Sequence, residues 1–316
     1  MGQPVWERFQ ILSLDGGGIK GLFTAAVLAK LEEDLRTNIT DHFDLIVGTS
    51  TGGIIALALG LGMKPREIVQ FYVENGPQIF RNRLGLNPLK HWCWRKYPNG
   101  PLRAALQQCY EARRLSDSQK RLVIPSYNLD ADDVYLFKTP HHKRLRRDYR
   151  IPMWQVALAT SAAPTYFPAF AGIDSLRLID GGVWANNPTM IGIAEAVSVL
   201  DAPLRTISVC NLGTSDTVIQ RRKWLDWGGK LAWSNSAVDV IMRGQSRGVH
   251  KQACHLLGDE KVKRLDPKVP EGLLDLDRVT PDDLFSQAAH ESRNFSPIFE
   301  KEFMPHKAPA YEALYR

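Results

Sequence analysis

The chain predicts an α/β fold: a mostly parallel sheet with helices on both faces. Short apolar runs at residues 9–14, 43–47, 122–127, 176–179 and 205–212 alternate with stretches of helical spacing. Several runs are apolar at consecutive positions, as strands covered on both sides are. Glycines gather where two of these strands pass into helices, at residues 16–21 and 48–52. Such sheets carry their sites beyond the carboxyl ends of the strands.

Taken in order, residues 9–14 (FQILSL) read as a buried strand, and Asp15-Gly16-Gly17-Gly18-Ile19-Lys20-Gly21 follows. Leu22, Ala25, Ala26, Leu28, Leu31 and Leu35 then recur at helical spacing. The next strand, 43–47, ends at Gly48-Thr49-Ser50-Thr51-Gly52, and a helix is expected over 54–61. A serine flanked by glycines between strand and helix is the G-x-S-x-G nucleophile elbow. Gly48 is expected to take an unusual backbone conformation and Gly52 to permit close helix approach. Leu45 to Met63 carries no charge, but its firmly apolar part is about 10 residues, short of the ~20 needed to span a bilayer. A buried helix is expected instead.

Pro65 opens a further helix through residue 75, and 81–101, with Trp92 and Trp94 among basic residues, reads as a surface excursion. That excursion suits either a packed loop or contact with a membrane interface. Strands are expected at 122–127 and 134–137. The basic run at 138–150 fits a solvated loop or an anion contact. A helix at 152–160 is stopped by Pro164 and Pro168, and a strand at 176–179 leads into Asp180-Gly181-Gly182. A helix over 189–200 and a strand over 205–212 complete a core expected to span residues 1–215. Residues 216–316 are expected to form a mainly helical extension packed on that core, with helices at 234–242, 249–257, 282–294 and 298–304.

Composition narrows the function classes. With 316 residues, 44% hydrophobic and 23% charged, the chain can bury a substantial core and is not disordered in type. A net charge of +6 suits anionic partners such as headgroups or nucleotides without choosing among them. Cys93, Cys109, Cys210 and Cys254 form neither a zinc pattern nor a disulfide framework, which favours a reducing, cytoplasmic setting. The first residues have neither the charge nor the apolar run of a signal peptide, so a soluble protein with peripheral membrane contact is expected.

Three chemistries remain open on the residues alone. Gly16, Gly18 and Gly21 match the dinucleotide fingerprint G-x-G-x-x-G. The same glycines could instead offer backbone N–H groups to an oxyanion. Ser50 needs a base. A triad with Asp180 and His250 or His255 has the chain order of the α/β-hydrolases, but both histidines lie in a helix-like stretch. Asp180, at the end of a strand, is better placed, and desolvation would raise its pKa towards a useful range.

Taken together, the glycine loop 15–21, the elbow 48–52, the Asp180-Gly-Gly182 turn and the stretch Ala162-Ala-Pro-Thr-Tyr-Phe-Pro168 resemble the patatin-like phospholipase family over residues 9–213. The resemblance implies a three-layer α/β/α fold and a Ser50–Asp180 dyad that cleaves lipid acyl esters through an acyl-enzyme. It also implies an oxyanion hole from Gly16, Gly17 and Gly18 supported by Lys20, and no metal or cofactor. Length, the form of the loop and the C-terminal extension most resemble bacterial cyclic-nucleotide-activated members from anti-phage operons. That implies a cyclic dinucleotide activator and action at the inner membrane surface, with no nucleic-acid polymer as partner. The oligomeric state is left open, a homo-oligomer included.

Overall fold

The structure, a computed structural model, describes residues 6–79, 98–214, 216–217, 227, 237–269 and 281–316. Its strands are β1 (Phe9–Leu14), β2 (Leu45–Gly48), β3 (Arg121–Asn128), β4 (Asp133–Lys138), β5 (Phe170–Ile173), β6 (Leu176–Asp180), β7 (Ile207–Leu212), β8 (Asp216–Thr217), β9 (Val262–Leu265) and β10 (Lys268–Val269). Its helices are α1 (Gly21–Leu35), α2 (Thr51–Gly60), α3 (Pro65–Ile79), α4 (Asn99–Tyr110), α5 (Met153–Thr160), α6 (Gly182–Ala185), α7 (Thr189–Ser198), α8 (Ala237–Leu257) and α9 (Pro281–Glu302).

The main sheet runs β5-β6-β3-β2-β1-β7-β9, with β4 also on β3. From β3 to β9 every pairing is parallel. Strand alternation divides the apolar residues between two cores. Leu12, Leu14, Ile46, Leu122, Ile124 and Leu212 meet residues of α1 to α5 and α9 on one face. Phe9, Ile11, Leu45, Val47, Val123 and Val209 meet Ile193 and Ala196 of α7 and Ala253 and Leu257 of α8 on the other. Both faces are covered, so the fold is the three-layer α/β/α sandwich, with a helical C-terminal segment.

The feature that makes the site is a change of partner along β3. Arg121, Leu122 and Val123 pair in parallel with β2, whereas Ser126, Tyr127 and Asn128 pair antiparallel with β6. β2 stops at Gly48 and β6 ends at Asp180, opposite Ser126. Since β6 runs against β2, the ends of the two strands approach each other.

Several elements differ from their sequence expectation. Residues 80–97, which hold most of the tryptophan-rich excursion, lie outside the described residues, and residues 99–101 belong to α4. Pro101 is tolerated there because first-turn N–H groups have no intrahelical partner. α8 is one helix rather than two. Gly244 and Gly248, each worth about 1 kcal/mol against a helix, are outweighed by its docking on the second core. α9 is likewise continuous through Pro297, held by the burial of Phe295 in the first core and by Phe299, with Phe303 just past its end, packed against Phe43. β5 and β9 were not anticipated: β5 contains Gly172, and β9 (VKRL) alternates on an outer strand with little apolar signal.

Candidate active site

Ser50 sits at the bend between β2 and α2 with φ 55° and ψ −122°, a left-handed backbone on a residue that is not glycine. The strain therefore falls on the serine and not, as the sequence suggested, on Gly48. Gly48 is needed for space instead, since a Cβ there would lie 2.2 Å from the carbonyl oxygen of Gly52. A Cβ on Gly52 would lie 2.3 Å from the carbonyl oxygen of Leu14, so α2 can pass this close to β1 only without one. The Ser50 N–H donates to Thr160 Oγ1 at 3.0 Å, and that hydroxyl donates to the Pro125 carbonyl at 2.6 Å. The end of α5 thus braces the bend.

Ser50 Oγ donates to Asp180 Oδ2 at 2.6 Å. Asp180 Oδ1 accepts the Gly182 N–H at 2.7 Å, which fixes the carboxylate plane. The Asp180 side chain is buried. Burial pushes its pKa up from 3.8 to about 6, against the opposing pull of the Ser50 and Gly182 hydrogen bonds. At neutral pH the group is still mostly ionised and able to accept a proton.

The glycine loop faces this pair. Gly16 N–H already donates to the Asn186 carbonyl at 2.9 Å, which corrects its place in the anion cradle: that N–H is taken. Gly17 and Gly18 N–H have no hydrogen-bond partner among the described residues. Gly18 has φ +62°, and a Cβ there would meet nothing within 4 Å, so its backbone is open on one side. Thr51 Oγ1 donates to the Gly18 carbonyl at 2.5 Å and ties the loop to the first turn of α2. The third fingerprint glycine, Gly21, packs on α2, since a Cβ there would lie 1.7 Å from Thr51 Cγ2. The spacing thus serves helix packing beside Ser50, which removes the structural motive for a dinucleotide site.

Ser50, Asp180, Gly16, Gly17, Gly18 and Lys20 all line one cavity of about 530 Å³. Its apolar wall includes Ile19, Ile54, Phe71, Tyr72, Leu102 and Phe167, from the α1 to α5 side. Met242, Arg243 and Arg247 of α8, with Arg264 of β9, close another side. No histidine lines it among the described residues. His250 lies against Cys254 on α8, with Sγ 3.7 Å from Nε2, and His255 is in the last turn of that helix. The triad is therefore not assembled. Among the described residues no group of His, Cys, Asp or Glu is arranged to hold a metal ion.

The basic run at 138–150 is largely spent on packing. Lys138 pairs with Glu195 at 2.5 Å, Arg147 pairs with Asp148 at 2.7 Å, and Arg146 donates to Tyr315 at 2.9 Å. The other basic stretch, 221–223, lies outside the described residues. Thr160, Asn186 and Arg264 belong to the site but went unread in the sequence. Each acts through a contact distant along the chain, and none carries a local pattern.

The family model described as "Patatin-like phospholipase" matches residues 12–193, which include the loop, the elbow and the Asp180 turn. The chain is a patatin-like phospholipase family member. This patatin-like chain is 33% identical over 317 residues to a cGAMP-activated phospholipase of Pseudomonas aeruginosa, covering 96% of this chain and 93% of that one. It is 36% identical over 238 residues to a protein of the same name from Escherichia coli, covering 69% of this chain and 67% of that one. Among solved structures, VipD from Legionella pneumophila has TM-score 0.51 at 12% identity, over 97% of this chain and 68% of that one, a likeness of fold alone.

Proposed function

We propose that this patatin-like protein hydrolyses acyl esters of membrane phospholipids with Ser50 as nucleophile and Asp180 as its base. The observation that supports this most is the 2.6 Å contact between Ser50 Oγ and the buried Asp180 carboxylate inside an apolar-walled cavity. Ser50 Oγ bonds to the ester carbonyl carbon while its proton passes to Asp180. The oxyanion so formed is received by the N–H groups of Gly17 and Gly18, with Lys20 and the N-terminus of α2 adding positive potential. The carbon–oxygen bond to the lysolipid then breaks, and its oxygen takes the proton from Asp180. Water attacks the acyl-enzyme, Asp180 accepts the water's proton, and the fatty acid leaves as Ser50 recovers its hydrogen.

A cyclic dinucleotide is proposed as the activator, motivated by the relatives named cGAMP-activated phospholipases. Action at the cytoplasmic membrane surface, by peripheral contact, completes the reading. No helix among the described residues is long and apolar enough to cross a membrane. The experiment is lipid mass spectrometry on phosphatidylethanolamine–phosphatidylglycerol vesicles, with and without cGAMP. We expect fatty acid and lysolipid from the wild type and neither from Ser50→Ala or Asp180→Ala. Release by either variant at the wild-type rate would exclude the dyad.

A further inference from the structure

Asp15 brings a second carboxylate to the cavity, besides that of Asp180. It opens the glycine loop, it is buried, and it lines the same cavity as Gly17 and Gly18, whose N–H groups are assigned to an oxyanion. An uncompensated negative charge there would oppose the charge that develops in the transition state. The compensation comes from the C-terminal part of the chain, outside the residues 12–193 matched by the family model. Arg264 on β9 places Nη2 2.8 Å from Asp15 Oδ2 and also 2.8 Å from Asp266 Oδ2. Its Nη1 donates to Asn211 Oδ1. Asn211 Nδ2 in turn donates to Asp15 Oδ1 at 2.8 Å and to the Ser13 carbonyl at 3.1 Å. Both oxygens of Asp15 are therefore held from β7 and β9, and its N–H donates to the Leu212 carbonyl at 3.0 Å.

Besides its contacts with Asn186 and Thr51, the loop is held by Thr214. Thr214 Oγ1 donates to the Gly16 carbonyl at 3.2 Å, and its side chain fills the place where a Cβ on Gly17 would be, 2.1 Å away. The segment carrying Thr214 is joined to β9 through the Gly213 N–H, which donates to the Leu265 carbonyl at 2.8 Å. Asp266 sits against Gly213, where a Cβ would lie 2.1 Å from its Oδ1. Asp15, Asn211, Gly213 and Thr214 thus brace the loop from one side, and Arg264 and Asp266 lock that brace to the outer strand.

We propose that Arg264 is a positioning residue for the reaction: it fixes the glycine loop through Asp15 and cancels the Asp15 charge beside the oxyanion site. Arg264 does not touch the reacting atoms. Its loss leaves substrate binding largely intact and slows the chemistry. The inference rests on Ser50 being the nucleophile.

The test uses the full chain with saturating cGAMP, a soluble ester substrate, and a fluorescent fluorophosphonate. In the labelling step Ser50 Oγ bonds to phosphorus, fluoride leaves, and the serine proton passes to Asp180. Arg264→Gln is expected to lower kcat and the labelling rate by ~30–300-fold, with KM within about threefold, somewhat less than the ~100–1000-fold loss of an oxyanion donor itself. Arg264→Gln combined with Asp15→Asn removes both charges and is expected to recover about tenfold over Arg264→Gln alone, a coupling that independent structural damage would not produce. Lys263→Gln, on the same strand and outside the cavity, is expected to match wild type. A kcat for Arg264→Gln within threefold of wild type, or losses that simply multiply in the double variant, would overturn the proposal. If Arg264→Gln does not fold, Asp15→Asn and Arg264→Lys decide. Arg264→Lys is then expected to keep more of kcat than Asp15→Asn, and equal losses would contradict the positioning role. Wild-type protein labelled somewhere other than Ser50 would instead refute the dyad itself.

Discussion

Asp180 is a buried carboxylate, bonded to one hydroxyl and one backbone N–H. Its folded pKa of about 6 lies above the ordinary 3.8, with desolvation the largest cause. Protonated Asp180 cannot take the serine proton, so kcat/KM should fall about tenfold per pH unit below an apparent pKa near 6 and level off above it. A profile flat from pH 7 to 4.5 would refute the base. Stability has the opposite sign. A raised carboxylate pKa means that the folded state binds the proton more tightly than the unfolded one, so the group costs stability as pH rises from about 4 to 6. Asp180→Asn should therefore be inactive yet more stable at pH 7, by roughly 1–3 kcal/mol, with the difference shrinking towards pH 4. Urea unfolding at the two pH values measures this. The strained φ of 55° at Ser50 points the same way, since Ser50→Gly should gain stability while losing activity. The site is thus held in place against its own local preferences, as catalytic groups often are.

The elements supply that restraint. The elbow and the glycine loop were legible because their geometry demands residue types that leave a local trace. Gly52→Ala would drive a Cβ to 2.3 Å from a backbone oxygen, which the sheet cannot yield cheaply, and should cost several kcal/mol along with activity. Gly100→Ala, where a Cβ meets nothing within 4 Å, should be neutral or stabilising by roughly 0.5 kcal/mol. Comparing the two by thermal unfolding separates crowding from mere loss of glycine. Other features left no such trace. Alternation marks residues 176–179 as a strand but carries no direction, so the antiparallel course of β6 and its meeting with β2 could not be read. Helix breakers misled in α8 and α9, where long-range packing outweighs Gly244, Gly248 and Pro297. The strand β9 was missed because half of its short sequence is charged, although one of those charges, Arg264, reaches the site.

At the scale of the molecule, one face of the sheet and the C-terminal segment share the work. The cavity draws most of its apolar wall from helices α2 to α4, and residues of α8 and β9 close it on a different side. An activator that shifts α8 or β9 would therefore alter the cavity around Ser50 directly, which would link the proposed cyclic dinucleotide to the proposed chemistry. If cGAMP binds the folded chain, it should raise the unfolding midpoint, by an equivalent of about 2.7 kcal/mol at a hundredfold excess over its Kd. No change in midpoint or rate with cGAMP would remove it as the activator while leaving the hydrolase reading intact. The central claim is that an acyl group passes through Ser50. The most direct measurement is intact-protein and peptide mass spectrometry of cGAMP-treated enzyme, acid-quenched during turnover of phospholipid vesicles. One fatty-acyl adduct is expected, on Ser50, absent from Ser50→Ala. An adduct on another residue, or undiminished fatty-acid release by Ser50→Ala, would contradict it.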